Sequence, residues 1–508
     1  MKIVSCKQIK EIDSYTIKHE PIASIDLMER ASAQLFSWIA GRYGISEHFV
    51  TFAGPGNNGG DGLALARMLG TNGYNVDVHI VKVSGKLSPD CELNLKRLEN
   101  VTNVTIFYLS AINQFPIIAA EDVIIDAIFG SGLARPVDGL PLEVILHINK
   151  SDSDVISIDL PSGLYGEDNT SNKYSGIVRA DFTLTFQFPK LSFMFPENAP
   201  YVGEWIVLPI GLDESIIRDT STPYNILSNA DILTLLKTRS KFDHKGTYGH
   251  GLLIAGSEGK MGAAVLGAEA ALRTGIGLLT CHLPFCGNII MQSSLAEAMT
   301  VSDKSENTIS EIGSTEMFSA VGIGPGIGTS ENARAALSSL LSECRKPIVI
   351  DADAINILSL NKKLLGLLPL DAILTPHPGE FERLAGKSIN GYDRLQKQIE
   401  FSNKYKCIII FKGANSTVTT PSGDIFFNST GNPGMATGGS GDVLTGIVLS
   451  LLAQGYSAVN AALTGVYLHG KAGDIAAEES CYESILASDI IKCIGKAFNF
   501  IRRNGVTV

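Results

Sequence analysis

The stretch Gly431 to Gly446, GNPGMATGGSGDVLTG, sets five glycines and one acid directly ahead of the apolar run Val443 to Leu452. Gly438, Gly439 and Gly441 leave the backbone free to turn its amides inward. The apolar run reads as a buried helix, so those amides stand at a helix N-terminus. Unpaired N–H groups and the helix dipole both favour an anion there. Asp442 enters the first turn beside them. A phosphate cradle with a carboxylate at its edge suits a step in which a proton leaves a hydroxyl as phosphoryl arrives. A Gly-rich loop closed by an N-capping Asp has the same letters.

The first half offers a second group of chemical residues. GPGNNGGDG (54–62) follows an apolar segment and fits G-x-G-x-x-G, the dinucleotide fingerprint. The following strand, Asn75 to Val83, lacks the terminal acid that would hold an adenine ribose, and Asn57, Asn58 and Asp61 are more polar than a pyrophosphate turn requires. The loop therefore suits a ligand other than an ordinary dinucleotide cofactor. Asp126, in the apolar strand Asp122 to Phe129, and Asp159, in Val155 to Leu160, also sit at strand ends. A carboxylate in such a place needs a cation, donors or a proton-transfer task. Hydrogen bonding to nearby loop amides would serve as well.

These residues need elements to carry them. Residues 1–45 read as two amphipathic helices, and His48 to Ala53 as a buried strand leading to a helix over Leu63 to Leu69. Strands Phe182 to Phe188 and Trp205 to Leu208 close the first unit. Asn229 to Leu236 reads as a helix entering a second unit, which places a boundary near residue 222 and gives domains 1–222 and 223–508. In the second unit, strands at Gly251 to Ala255, Ala320 to Ile323, Pro347 to Asp351, Ala372 to Leu374 and Cys407 to Phe411 alternate with helices at Ala263 to Arg273 and Glu331 to Ser342. This predicts a doubly wound α/β layer arrangement, in which ligands sit beyond the carboxyl ends of strands. No GxxxxGK[ST] sequence is present, which excludes a P-loop. His377, in TPHPGE (375–380), is a candidate substrate contact or proton relay, or a loop histidine with a structural hydrogen bond.

A chain of 508 residues exceeds one ordinary core. Its net charge of −11 argues against a nucleic-acid or membrane-surface binder. Eight scattered cysteines without a CxxC pair indicate neither a zinc site nor a disulfide framework. No N-terminal apolar segment or long apolar run occurs, so a cytoplasmic protein is expected.

Taken together, GPGNNGGDG, DAIFGSGL (126–133) and IDLPSG (158–163) resemble the N-terminal YjeF-type NAD(P)H-hydrate epimerase domain. KGTYGH (245–250), GSEGKMGAA (256–264), GIGPGIG (322–328), DADAIN (351–356), TPHPGE, KGANST (412–417) and NPGMATGGSGDVLTG (432–446) resemble the ADP-dependent NAD(P)H-hydrate dehydratase. The resemblance spans essentially the whole chain, in the order of the fused bifunctional repair enzyme. It implies an α/β fold with an N-terminal Rossmann-like YjeF domain and a C-terminal ribokinase-like α/β layer domain. It also implies interconversion of R and S hydrates of NADH and NADPH, and dehydration of the S form at the expense of ADP.

Carried over by position, the resemblance implies that Asn57, Asn58, Gly59, Gly60 and Asp61 hold the hydrate. Gly130, Ser131, Gly132, Leu133, Ala134, Arg135 and Pro136 would line it, and Asp159 would bind it and transfer a proton. Asn58, Asp126 and Ser162 would supply oxygens to K+. In the second domain it implies hydrate contacts from Ala263, Gly326, His377 and Asp442, with Asp442 as base. ADP would lie against Lys412, Gly413, Ala414, Asn415 and Ser416, and against Asn432, Pro433, Gly434, Met435, Ala436, Thr437, Gly438, Gly439, Ser440 and Gly441. Mg2+ is expected with the nucleotide, and a homo-oligomer is expected. The dipole of the following helix is expected to keep Asp442 ionised and to lower its basicity. Two other readings fit parts of the chain: a ribokinase-like kinase of a small alcohol, and an N-terminal half that serves as a binding or scaffold module.

Overall fold

The computed structural model describes residues 1–83 and 86–504, which form two compact units. One comprises Lys2–Thr222 with Asn390–Tyr392. The other comprises Met1, Pro223–Ile389 and the residues from Asp393 onward.

The first unit is built on seven strands: β1 (His48–Ala53), β2 (Asn75–Val81), β3 (Val104–Leu109), β4 (Val123–Ala127), β5 (Asp154–Ile158), β6 (Phe182–Phe186) and β7 (Glu204–Leu208). They pair in the order β3-β2-β1-β4-β5-β6-β7, every pair parallel. Alternation divides their side chains between two cores. Phe49 and Ala53 pack with the helix residues Leu63 and Leu69 on one face, while Val50 and Phe52 join Val144 and Ile148 on the other. Burial on both faces explains why these strands read as continuous apolar runs. From β1 the chain runs outward through β2 to β3 and then crosses back to β4 on the other side of β1, so the sheet has its switch point between β1 and β4.

The glycine stretch after β1 departs from expectation. Only Gly54–Gly56 form a loop, and Asn57 already opens the helix Asn57–Thr71. Close packing makes this possible: a Cβ on Gly59 would lie 1.8 Å from Gly54 O, so the first turn folds directly onto the strand end. The predicted helix over Leu63 to Leu69 is the middle of this longer element.

In the second unit the strands are β8 (Tyr224–Ile226), β9 (His250–Ile254), β10 (Leu278–Leu283), β11 (Met299–Ser302), β12 (Ala320–Ile323), β13 (Ile348–Ile350), β14 (Ile373–Leu374), β15 (Ile408–Phe411), β16 (Ser416–Thr419) and β17 (Ile425–Asn428). Their order is β11-β10-β9-β12-β13-β14-β15-β16-β17-β8. The sheet is mixed, because β16 runs antiparallel to both β15 and β17. The turn Pro421-Ser-Gly423 forms that hairpin, with Gly423 at φ 94°. Leu253 and Ala255 face one core and Leu252 and Ile254 the other. The helix Ser440–Ala453 lies in the first of these cores and is buried on all sides, from Val443 to Ala453 without interruption.

Candidate active sites

In the N-terminal unit the loops after β1, β4 and β5 leave adjacent parallel strands, so their sequence-predicted residues gather at one edge. Asp126 is fully buried and accepts from four neutral donors: Ser162 N (2.8 Å), Ser162 Oγ (2.5 Å), Ser157 Oγ (2.7 Å) and Ile128 N (3.3 Å). Burial outweighs these bonds and raises its carboxyl above the usual range. Asn58 is next to the second loop, since a Cβ on Gly130 would lie 3.1 Å from Asn58 Oδ1. Its amide nitrogen is buried without a hydrogen-bond partner. Gly130 to Pro136 form an open loop in which Gly132, Ala134 and Arg135 are exposed. The Asp61 carboxyl is raised well above its ordinary value, first by burial and then by the charges of Asp159, Asp13 and Asp90.

Asp159 follows β5 with φ 63°, a left-handed conformation that a non-glycine residue adopts only under constraint. Part of that constraint is visible. Lys190, with 1% of its side chain exposed, donates to Asp159 Oδ1 (2.7 Å) and to Thr185 Oγ1 (2.8 Å). The sequence analysis missed Lys190. Its signal was a lone cation inside the apolar run Phe186 to Phe195, which only an ion pair can accommodate. Asp13, on the helix Cys6–His19, was missed as well.

In the C-terminal unit a cavity of about 470 Å³ lies against the N-terminus of the helix Ser440–Ala453. Ala263, Gly326, Gly438, Gly439 and Asp442 line it, together with Lys260, Asp353 and Glu380. Gly439 caps the helix at φ 90°, and a Cβ there would come within 2.5 Å of Leu266 Cδ1, so this position admits only glycine. The Lys412 ammonium approaches the cradle, 3.2 Å from where a Gly441 Cβ would stand. It donates to Asp351 Oδ1 (2.8 Å), and Thr445 Oγ1 donates to Asp351 Oδ2 (2.7 Å). Burial would lower the Lys412 pKa, but Asp351, Glu380 and Asp442 together raise it.

One expectation for this site changes. Burial pushes the Asp442 carboxyl up to about 6; the Asp351 charge adds to the rise and Lys412 opposes it. Desolvation and a ring of like charges, Asp351, Asp353 and Glu380, therefore make Asp442 more basic than an ordinary carboxyl, where a lowered basicity was expected. The two ends of the expected nucleotide stretch line different cavities. Asn432 accepts from Gly434 N, donates to Asp474, and lines a different cavity, of about 670 Å³, with Lys471 and Tyr482. His377 caps the helix Pro378–Ala385; its side chain is 51% exposed, Nδ1 accepts from Gly379 N, and Glu380 is the residue of this turn that faces the 470 Å³ cavity.

The model for the YjeF-related protein N-terminus matches residues 24–192, and that for NAD(P)H-hydrate dehydratase matches residues 251–496. The Bifunctional NAD(P)H-hydrate repair enzyme Nnr of Moorella thermoacetica is 33% identical, covering 97% of this chain and 95% of its own length. The enzyme of the same name from Coxiella burnetii is 35% identical over 95% of this chain and 96% of its own. The chain belongs to the bifunctional NAD(P)H-hydrate repair enzymes. Among solved structures, the ADP/ATP-dependent NAD(P)H-hydrate dehydratase from Bacillus subtilis, co-crystallised with ATP/Mg2+, is 28% identical. It covers 55% of this chain and 98% of its own, with a TM-score of 0.48.

Both sites of this repair-enzyme chain are built at the carboxyl ends of parallel strands. Among the described residues no helix is long and apolar enough to cross a membrane.

Proposed function

We propose that the chain repairs hydrated NADH and NADPH: residues 1–222 epimerise the R and S hydrates, and residues 223–508 dehydrate the S form at the expense of ADP. The observation that carries this reading is the joining of an anion cradle, Gly438 to Gly441, to a carboxyl of pKa about 6, Asp442, across one cavity. Hydroxide is a poor leaving group, and phosphorylation of the hydrate hydroxyl supplies a better one. Asp442 takes the hydroxyl proton, near the pH at which a general base is most effective. The Gly438–Gly441 amides and the Lys412 ammonium stabilise the charge of the arriving phosphoryl group. Gly326 and Ala263, whose Cβ is 3.3 Å from where a Gly326 Cβ would lie, support the ring wall. Mg2+ would travel with the nucleotide phosphates.

In the N-terminal site the residues fit a hard monovalent cation. Asn58, Asp126 and Ser162 would hold K+, which would neutralise Asp126, a buried carboxyl whose four donors are all neutral. The unpartnered Asn58 amide supports the same reading, because reversing it would turn its oxygen into that space. Asp159 is the proton-transfer group beside it.

The test is to offer purified S-NADH hydrate with ADP or ATP and follow recovery of reduced-nicotinamide absorbance, then repeat with R hydrate in potassium buffer. Recovery from both epimers is expected. Phosphorylation of small alcohols with no consumption of hydrate would overturn the reading in favour of a kinase.

A further inference from the structure

The N-terminal site has one carboxyl beyond those used so far, and its position is specific. Cys6, Lys10 and Asp13 occupy positions i, i+4 and i+7 of the helix Cys6–His19, hence one face. That face borders the site. Lys10 Nζ is 3.8 Å from where a Gly132 Cβ would lie, and Cys6 Sγ is 2.3 Å from the corresponding position of Gly166. Cys6 N donates to Glu167 Oε1 (2.6 Å). Asp13 continues the row. Its Oδ1 is buried without a hydrogen-bond partner, a costly state for a group with no task.

The contrast with Asp159 decides its role. Asp159 has a cation of its own, Lys190, at 2.7 Å. Asp13 has none at such a distance and receives only the opposed charges of Asp159 and Lys190. Burial, reinforced by Asp159, pushes the Asp13 carboxyl up to about 6, and Lys190 opposes the rise. The Asp13 charge in turn adds to the rise of the Asp61 carboxyl, which burial and Asp159 raise first. Two carboxyls of one site, one paired with a buried lysine and the other buried without a partner, are placed to serve as an acid/base pair. Cys6 does not compete as a nucleophile, since burial and Glu167 push its thiol up to about 12.

We propose that Asp13 is the second proton carrier of the epimerase, working opposite Asp159. The assignment rests on the epimerase reading above. Hydration of an enamine double bond puts the hydroxyl on the carbon bonded to the ring nitrogen. Asp13, protonated, gives its proton to that hydroxyl. The C–O bond breaks, water leaves, and the nitrogen lone pair forms a C=N+ bond. A water molecule then adds to the opposite face, its oxygen bonding to the carbon while the C=N+ pair returns to nitrogen, and the Asp159 carboxylate accepts its proton. The pair ends with the proton on Asp159 and Asp13 ionised, which is the form that carries the opposite epimer back. Charge and atoms balance, and no redox partner is needed. Lys190 is a positioning residue that holds Asp159 at the end of β5.

The experiment uses the full chain in potassium buffer with a single hydrate epimer, without ADP, and measures epimer ratio by chromatography. Wild-type equilibration tests the epimerase reading itself, and its absence would remove that reading and this one together. Given wild-type turnover, Asp13→Asn should lower epimerisation kcat at least about 100-fold with KM within about threefold. Asp13→Glu should recover part of the loss and retain the rate change near pH 6 that Asp13→Asn lacks. In H2 18O each wild-type epimerisation should bring in one solvent oxygen. Dehydration of S hydrate with ADP, measured on the same samples, reports that the variants are folded. Wild-type epimerisation by Asp13→Asn, a defect confined to KM, or retention of the original oxygen would each overturn the assignment.

Discussion

Lys412 Nζ stands 2.8 Å from Asp351 Oδ1, and Asp351 is only 1% exposed. The carboxyl is lowered although burial works against it, because the Lys412 charge and hydrogen bonds from Lys412, Thr375 and Thr445 overcome desolvation. The pair fixes an ammonium at the mouth of the anion cradle. Removing one partner leaves a buried charge uncompensated. Lys412→Met should therefore destabilise the chain by about 3 kcal/mol, read as a lower urea midpoint, and weaken ADP binding. Adding Asp351→Leu should recover stability but not ADP affinity. An unchanged midpoint in the single variant would show the pair to be energetically idle.

Asp442, with a pKa of about 6, gives dehydration a defined acid limb. Loss of the base form on acidification should lower kcat/KM for S hydrate tenfold per pH unit below about 6, and Asp442→Asn should abolish turnover.

The same residue links pH to stability. The folded pKa of Asp442 lies above the ordinary value of 3.8, so the fold binds its proton more tightly than the unfolded chain does. Its stabilising contribution is complete below about pH 4 and is lost as pH rises through about 6. Asp442→Asn should then be more stable than the wild type at pH 8, by about 1–2 kcal/mol, and nearly equal at pH 4. Thermal melts at the two pH values test the sign.

Asp159→Asn should leave R hydrate unconsumed while S hydrate is still repaired with ADP. It also leaves Lys190 buried beside a neutral partner, so a lower melting temperature should accompany it. Continued consumption of R hydrate would remove Asp159 from the reaction.

Replacing K+ with a large organic cation should slow epimerisation at least about tenfold and leave ligand-free folding intact, because Asp126 keeps its four donors. Equal rates in both buffers would remove the potassium assignment.

Much of the fold was legible because parallel strands covered on both faces form apolar runs with punctuated ends, as at His48–Ala53 and Ile408–Phe411. The elements that escaped have weaker patterns. β8 has three residues at the sheet edge, and the exposed edge strand β11 alternates little in burial. The hairpin β16–β17 announces itself only through Pro421-Ser-Gly423. At the sites, glycines and strand-end acids were visible as local signals. Asp13 and Glu380 were not, because each matters through one face or turn of a helix, and Lys190, although a lone cation in an apolar run, shows its role only through Asp159, 31 residues away in sequence. The proton affinity of Asp442 likewise depends on Asp351 and Lys412, which no local window contains.

The helix Ser440–Ala453 offers the anion cradle at one end and is buried along its remaining length. An element so enclosed cannot fray or slide to suit a ligand. Its amides beyond the first turn should exchange with solvent only when the whole unit unfolds. A ligand entering this cavity would therefore meet a cradle already in place, and the adjustment needed to admit it would fall to the exposed lining side chain of Lys260.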